Sequence, residues 1–583
     1  MPSRRGGRLA DGPAEPGLPA TLDIMAVVTP SPWRLRAVAL AALILVADLA
    51  CNSGTTALTQ GPRLAKDQTL RVLLDDQPHS LDPGQTQYLY ETAVLRAISE
   101  PLLKPTADMN GVVPAAAASY DVSADGTVFV FHLRRTAQYW DGVPVKAQDF
   151  VYAWQRLIDP RLAAPNETFF AAAVLNGDKV SSLDPQRDAA KLDAALVTLG
   201  LKAIDDYTFQ VTLSRPDPAF IWLAAMPAGA PIRQDVVAKS GDKWATAPKS
   251  LITNGPFKVS EMVANDHLKV VPNPHYWGAQ PTLTAIDFVV VNDGAAALAK
   301  YQSGALDEID VQPAQAAAVA GDSKLGKDLV KTPSLTVFWI AFRVDAPPLN
   351  NPKVRLALAE AIDRNAFVAQ IFQGEGMPAE TFIPKGMHGY APALGTPQGF
   401  DVAQARAAMA ASGLTAAQLS GIKFSYDQSS DFGKATATFV RDQLKANLGI
   451  DVVLEALDTN TLSSRVTSGD FQIAGPSGWT ADFPDPSDWY DYFLTTSSNN
   501  VAFYQNQQYD NFVRVAASDL QPARRDQEYQ QAQQMLIDDA PVAFLAQTVN
   551  WNLVRPYVGG VTTTSVDEWP GALFPSQIFI TPH

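Results

Sequence analysis

The chain has 583 residues, too many for one hydrophobic core, so two or three domains are expected. Its 47% apolar and 18% charged content excludes a disordered chain. A formal charge of −15, with no basic stripe interleaved with aromatics, argues against a nucleic-acid partner, and the single cysteine excludes an intramolecular disulfide and any Cys–Cys metal pair.

In chain order, Arg34 and Arg36 precede the apolar run 37–47, which ends in Asp48-Leu-Ala-Cys51. A basic start, a short apolar core and small residues before a break describe a secretory signal. The run is too short for a spanning helix, which needs about 20 apolar residues. Cys51 falls where a bacterial lipoprotein signal is cut and its cysteine acylated, with Asp48 in place of the usual aliphatic residue. The alternative is ordinary cleavage nearby and an incidental cysteine. Residues 1–51 are read as a leader, with Met25 a candidate start, and 52–67 as a flexible tether.

Asp125-Gly126 marks a turn before Thr127–Leu133, which is apolar on both faces and predicts a buried strand. Tyr207–Ser214 alternates apolar and polar residues, as a half-buried strand does. Ile286–Val291 is another strand. Asn351 caps a helix opening on Pro352, with Val354, Leu358, Ala361 and Ile362 on one face. Lys434–Leu448 and Arg524–Ile537 are further helices. Mixed elements without a repeat indicate an α/β or α+β assembly.

The segment Gly475–Phe493 gathers two tryptophans, two tyrosines and two phenylalanines around four aspartates. Flat apolar faces beside carboxylates suit a ligand with a cationic head. The alternative is a buried loop whose aspartates cap a helix starting near Pro486. Catalytic signatures are missing: the six histidines form no His-Glu-x-x-His motif, and there is no nucleophile elbow or phosphate loop. His267 and His275 flank a turn without metal-site spacing, and His132 reads as a core residue. Neither a metal, a cofactor nor an enzymatic activity is expected. An exported hydrolase is the rival from another class.

Several motifs together resemble the oligopeptide-binding proteins of ABC importers, within the extracytoplasmic solute-binding family that also holds dipeptide and nickel receptors. They include Ser80-Leu-Asp-Pro83, Trp140–Arg156, Thr253–Phe257, Asn273–Trp277, Ala361-Ile-Asp-Arg364, Gly478-Trp-Thr-Ala-Asp482, Ser497–Asn500 and Arg555–Gly560. The resemblance runs from about Gln68 to the C-terminus. It implies a two-lobed clamshell with a third domain and two crossings between lobes. Lobe I would hold 68–99, 219–367 and 550–583, the extra domain 100–218, and lobe II 368–549. A peptide would lie extended between the lobes of a periplasmic, lipid-anchored monomer that docks to an inner-membrane permease and ATPase.

The resemblance places the partner of the peptide α-amino group at Asp482, with Trp479, Thr480, Tyr152 and Gln87 at other cleft positions. Arg343 replaces an expected asparagine and Thr548 an expected tyrosine. Pro476 and Ser477 stand where a basic residue would meet a peptide carboxylate, leaving Arg343 or Arg465 as substitutes. A dipeptide, a murein peptide or another small ligand on the same fold is the nearer alternative.

Overall fold

The computed structural model describes residues 62–583. The leader with Met25 and Cys51, and the tether as far as residue 61, lie outside the described residues. The end of the expected tether is not free: the Ala65 amide donates to the Ile580 carbonyl at 2.8 Å.

In chain order the principal strands begin with β1 (Thr69–Leu74), the short pair β2 (Leu103–Pro105) and β3 (Val112–Pro114), then β4 (Ala117–Val122), β5 (Val128–Leu133), β6 (Leu201–Asp205) and β7 (Thr208–Thr212). They continue with β8 (Phe257–Val263), β9 (His267–Pro272), β10 (Ala285–Val290), β11 (Glu308–Asp310) and β12 (Leu329–Phe342). The last are β13 (Gly376–Pro378), β14 (Lys423–Asp427), β15 (Val453–Leu457), β16 (Ile473–Thr480) and β17 (Val542–Val554). Among the described residues, β4-β5-β7-β6 form one antiparallel sheet and β15-β14-β16-β12-β17-β11-β1-β10-β9-β8 a second, mixed one, to which β13 adds on β17.

The large sheet is two half-sheets joined by β12 and β17. Leu329–Pro333 pairs with Val549–Leu553 in the first half, and Val337–Ala341 with Val542–Gln547 in the second. Between them the register is broken from Pro333 to Val337. Proline donates no ladder hydrogen bond, which fits an interruption there. In the second half the side chains of β12 alternate between two cores. Ile340 and Phe342 pack with Phe367, Phe424 and Phe439 on one face; Val337 and Trp339 pack with Phe382, Trp489 and Phe544 on the other. Helices on both faces of a sheet require such two-sided apolar strands.

The helices that follow β12 pack on its second half. The helix Pro352–Glu360, capped by Asn351 as predicted, and its neighbour Arg364–Ile371 share the core of Phe424 and Ile473. The chain therefore passes from the first half-sheet to the second within β12, at the break between Pro333 and Val337. These helices follow directly from the distal end of β12 and bury their apolar faces where that strand delivers them.

Two details of the extra domain also differ from expectation. In β5 only Phe129, Phe131 and Leu133 are buried; the other face is partly open. His132 lies on that face and pairs with Asp121 of β4 at 2.8 Å, so it is not a core residue. A strand apolar on both faces by composition still has one face toward solvent when it packs in a single antiparallel layer.

Phe382 sits at the centre of an aromatic cluster, fully buried, with the rings of Trp339, Trp489, Phe493 and Phe544 at 5.4, 5.0, 4.9 and 5.9 Å. Phe382→Ala is expected to destabilise this half by about 3–5 kcal/mol. Urea unfolding followed by tryptophan fluorescence reads the loss, because Trp339 and Trp489 touch the deleted ring.

Candidate ligand-binding site

The acidic aromatic segment is built by β16 and the turn that follows it. Trp479 and Thr480 close β16 opposite Val337 and Thr336, and the Ala481 amide still donates to Leu335. The chain then leaves the sheet. Asp485 becomes the N-cap of the helix Pro486–Tyr490, accepting from the Ser487 amide at 2.9 Å with Pro486 in the first turn. The capping alternative read from the sequence therefore holds for Asp485. Asp485 is a buried cap, and its carboxylate is gripped by both terminal nitrogens of Arg525 at 3.0 and 2.5 Å. Trp489, Tyr490, Tyr492 and Phe493 belong to the core.

Asp482, Asp488 and Asp491 instead line a 440 Å³ cavity. Its other wall comes from Thr168, Phe169 and Ala172 of the helix Glu167–Ala173, then Arg215 and Asp217. Phe169 meets Phe483 edge-to-face across the junction, centroids 6.0 Å apart. Trp479 packs against Tyr492 at 5.4 Å. Asp488 ties the turn together by accepting from the Trp479 indole at 3.2 Å and from the Asp482 amide at 3.0 Å.

Among the described residues no lysine, arginine or histidine forms an ion pair with Asp482, Asp488 or Asp491, whereas Asp485 is fully paired. Desolvation raises the Asp482 carboxyl above the usual range, opposed by a bond with Asp488. Burial, then the neighbouring Asp482 charge, pushes Asp488 well above that range. Burial lifts Asp491 to about 6, with Arg215 opposing and Asp217 reinforcing the rise. Folding thus holds protons on these groups that the unfolded chain would release. That contribution to stability falls as pH rises through the folded values. A bound cation would remove the penalty.

The other expected site residues are not brought to this cavity. Thr480 adjoins it on β16 but bonds Thr336 at 2.8 Å. Tyr152 is half-buried on the helix Ala147–Ile158, against the first core. The side chain of Gln87 is exposed, and its amide donates to buried Glu91 at 2.9 Å. Arg343 and Arg465, proposed as substitutes to meet a peptide carboxylate, are both committed elsewhere. Arg343 follows the distal end of β12, pairs with Asp345, donates to the Gly469 carbonyl and lies 3.8 Å from the centre of the Phe503 ring. Arg465 pairs with Glu455 at 3.0 Å and Asp470 at 3.6 Å. Acidic neighbours on their own and adjacent elements satisfy both guanidiniums. Sequence reasoning missed Phe169, Arg215 and Asp217, whose stretches carry no signal linking them to Asp482. For Asp488 and Asp491 a signal existed: the three-residue spacing from Asp482 through Asp485.

Residues 111–534 match the family described as bacterial extracellular solute-binding proteins, family 5 middle. The chain is 32% identical over 539 residues to the periplasmic oligopeptide-binding protein OppA of Salmonella typhimurium, covering 90% of this chain and 95% of that one. The unliganded open form of MppA, a periplasmic murein tripeptide-binding protein, matches with TM-score 0.80 at 28% identity, over 90% of this chain and 99% of that one. Haemophilus influenzae OppA in complex with the peptide RPPGFSPFR matches at 0.63 and 26%, over 89% and 100%.

The Asp485–Arg525 pair generates a prediction with a defined sign. Burial alone would raise the Asp485 carboxyl; the Arg525 guanidinium, with the Ser487 bonds, reverses that and holds it below its ordinary value. A depressed carboxyl adds stability above its unfolded pKa, near 3.9, and loses it as pH falls through the folded value. Arg525→Leu is expected to cost about 3 kcal/mol or more at neutral pH by stranding a buried carboxylate. The gap to wild type should close in denaturation curves recorded progressively below about pH 4.

Proposed function

Because the chain belongs to the bacterial extracellular solute-binding proteins of family 5, we propose that it captures peptides by their free α-amino end in the periplasm and passes them to an ABC-type importer. It performs no chemistry on them. One observation carries the ligand assignment: Asp482 lines the cavity and, among the described residues, forms no ion pair with a basic side chain. An ammonium leaving water is costly unless it meets a fixed opposite charge. A carboxylate held at the mouth of a closing crevice selects for such a group. The names of the relatives, two oligopeptide receptors and a murein-tripeptide receptor, support a peptide ligand.

Closure bends the molecule at the broken register between Pro333 and Val337, where both long strands pass between the halves. Thr480 and Trp479 lie at that level, so bending carries Asp482 toward the extra domain. Peptide main chain then pairs with exposed strand edges, which yields affinity without sequence choice. A ligand whose recognised group is anionic is disfavoured, since the cavity carries four aspartates against one arginine.

Export and anchoring complete the reading. The segment 34–51 directs the chain across the inner membrane and Cys51 is acylated there, holding a monomer near its permease. Among the described residues no helix is long and apolar enough to cross a membrane.

Native mass spectrometry of the purified protein is expected to show bound peptides of mixed sequence. Asp482→Asn should weaken tripeptide binding by about 2 kcal/mol or more, the scale of a stranded ammonium. Amino-terminal acetylation of the peptide should weaken binding to a similar degree in calorimetry. Equal affinity for free and acetylated peptides removes Asp482 as the anchor. Cys51→Ser should move the protein from the membrane fraction to the soluble fraction of the envelope; unchanged fractionation excludes the lipid.

A further inference from the structure

The anchor has a second carboxylate beside it that a single α-ammonium does not neutralise. Asp488 accepts from the amide of Asp482 itself, at 3.0 Å, and from the Trp479 indole, and its carboxyl lines the same cavity. Asp491, one helical turn further on, lines it too. The remaining aspartate of the turn, Asp485, is withdrawn from the cavity by Arg525. On the facing elements the charged groups are Arg215 and Asp217, the latter accepting from the Ala219 amide at 2.9 Å. The side walls are aromatic: Phe169, Phe483, Trp479 and Tyr492.

A peptide whose first residue is uncharged brings one positive charge to this cavity. Asp488, the more buried of the two, then has only a proton with which to escape its neighbour Asp482, because a largely desolvated carboxylate beside another resists ionising. A peptide beginning with a basic residue brings a second cation on an aliphatic stem. The stem lies along aromatic faces, and its charged end reaches carboxylate or ring.

We propose that Asp488 is a specificity-determining residue that, with Asp491, gives this site a preference for peptides whose first residue is lysine or arginine. The inference rests on the peptide reading above. Asp488 also braces the turn, but that role needs only an acceptor oxygen, which asparagine retains. The charge is what the preference requires.

The test compares Lys-Ala-Ala with norleucine-Ala-Ala, equal in stem length and different in charge, by titration calorimetry at low salt on the purified protein. Wild type is expected to bind the lysine peptide about ten-fold more tightly at pH 7.5, the scale of one close charge pair. That ratio should widen between pH 5 and pH 8, as the proton that the norleucine complex must retain becomes harder to hold. Asp488→Asn should bring the two peptides within about two-fold of each other, with thermal melting used to show that the variant is folded. Equal affinities in wild type, a ratio that does not move with pH, or a preference that survives both Asp488→Asn and Asp491→Asn would overturn the inference and leave the peptide reading standing. Failure of wild type to bind either peptide would overturn the peptide reading itself, and the preference with it.

Discussion

A carboxylate buried against a guanidinium organises this molecule's site. Asp485 caps a short helix, and Arg525, reaching from the long helix Pro522–Asp539, clamps both its oxygens. Such a pair adds little net stability compared with apolar packing, but it is costly to break and admits few geometries. Because Asp485 is held, the residues three before and three after it are placed, and Asp482 and Asp488 emerge on the cavity side. The protein keeps one aspartate of the run for architecture and, among the described residues, leaves the others without an ion pair. Partly desolvated carboxylates without an ion pair are a standing cost.

The second constraint is the sharing of two strands between two half-sheets. β12 and β17 are long enough to serve both, and their pairing lapses for a few residues between the halves. Backbone hydrogen bonds resist bending, so a sheet bends where they are missing. The acidic turn follows β16, which pairs with β12 just beyond that break. The cavity is thus walled from two sides: aromatic and acidic groups on one, a helix and an Arg-x-Asp loop on the other. A ligand that touches both walls stabilises the approach of one to the other, which is how binding energy becomes a conformational signal.

Much of this was legible beforehand because it depends on neighbours in the chain. Asn351 with Pro352 marked a helix start that the structure repeats, since capping is a matter of adjacent atoms. The alternation in Tyr207–Ser214 identified β7, whose burial follows the same period. The family motifs identified the fold and singled out Asp482. Legibility ended where a residue's fate depended on what packed against it. His132 sat in an apolar stretch yet faces outward to Asp121. Arg343 and Arg465 looked free to meet a ligand and are satisfied by acids of their own surroundings. The change of half-sheet within β12 leaves the helices that follow it on the core of Phe424 and Ile473.

By itself, then, the amino-acid sequence determined the kind of protein: mixed strands and helices, more than one core, an export-like leader and a carboxylate in a family-specific setting. These follow from composition, periodicity and short motifs, all of which act over a few residues. Only the tertiary structure decided which aspartates of the acidic run are spent on architecture and which remain available. It also decided that Phe169, Arg215 and Asp217, hundreds of residues away in sequence, supply the facing wall. The physical reason is that a charge is neutralised by whatever lies within a few ångströms of it, and spacing along the chain does not reveal what that is.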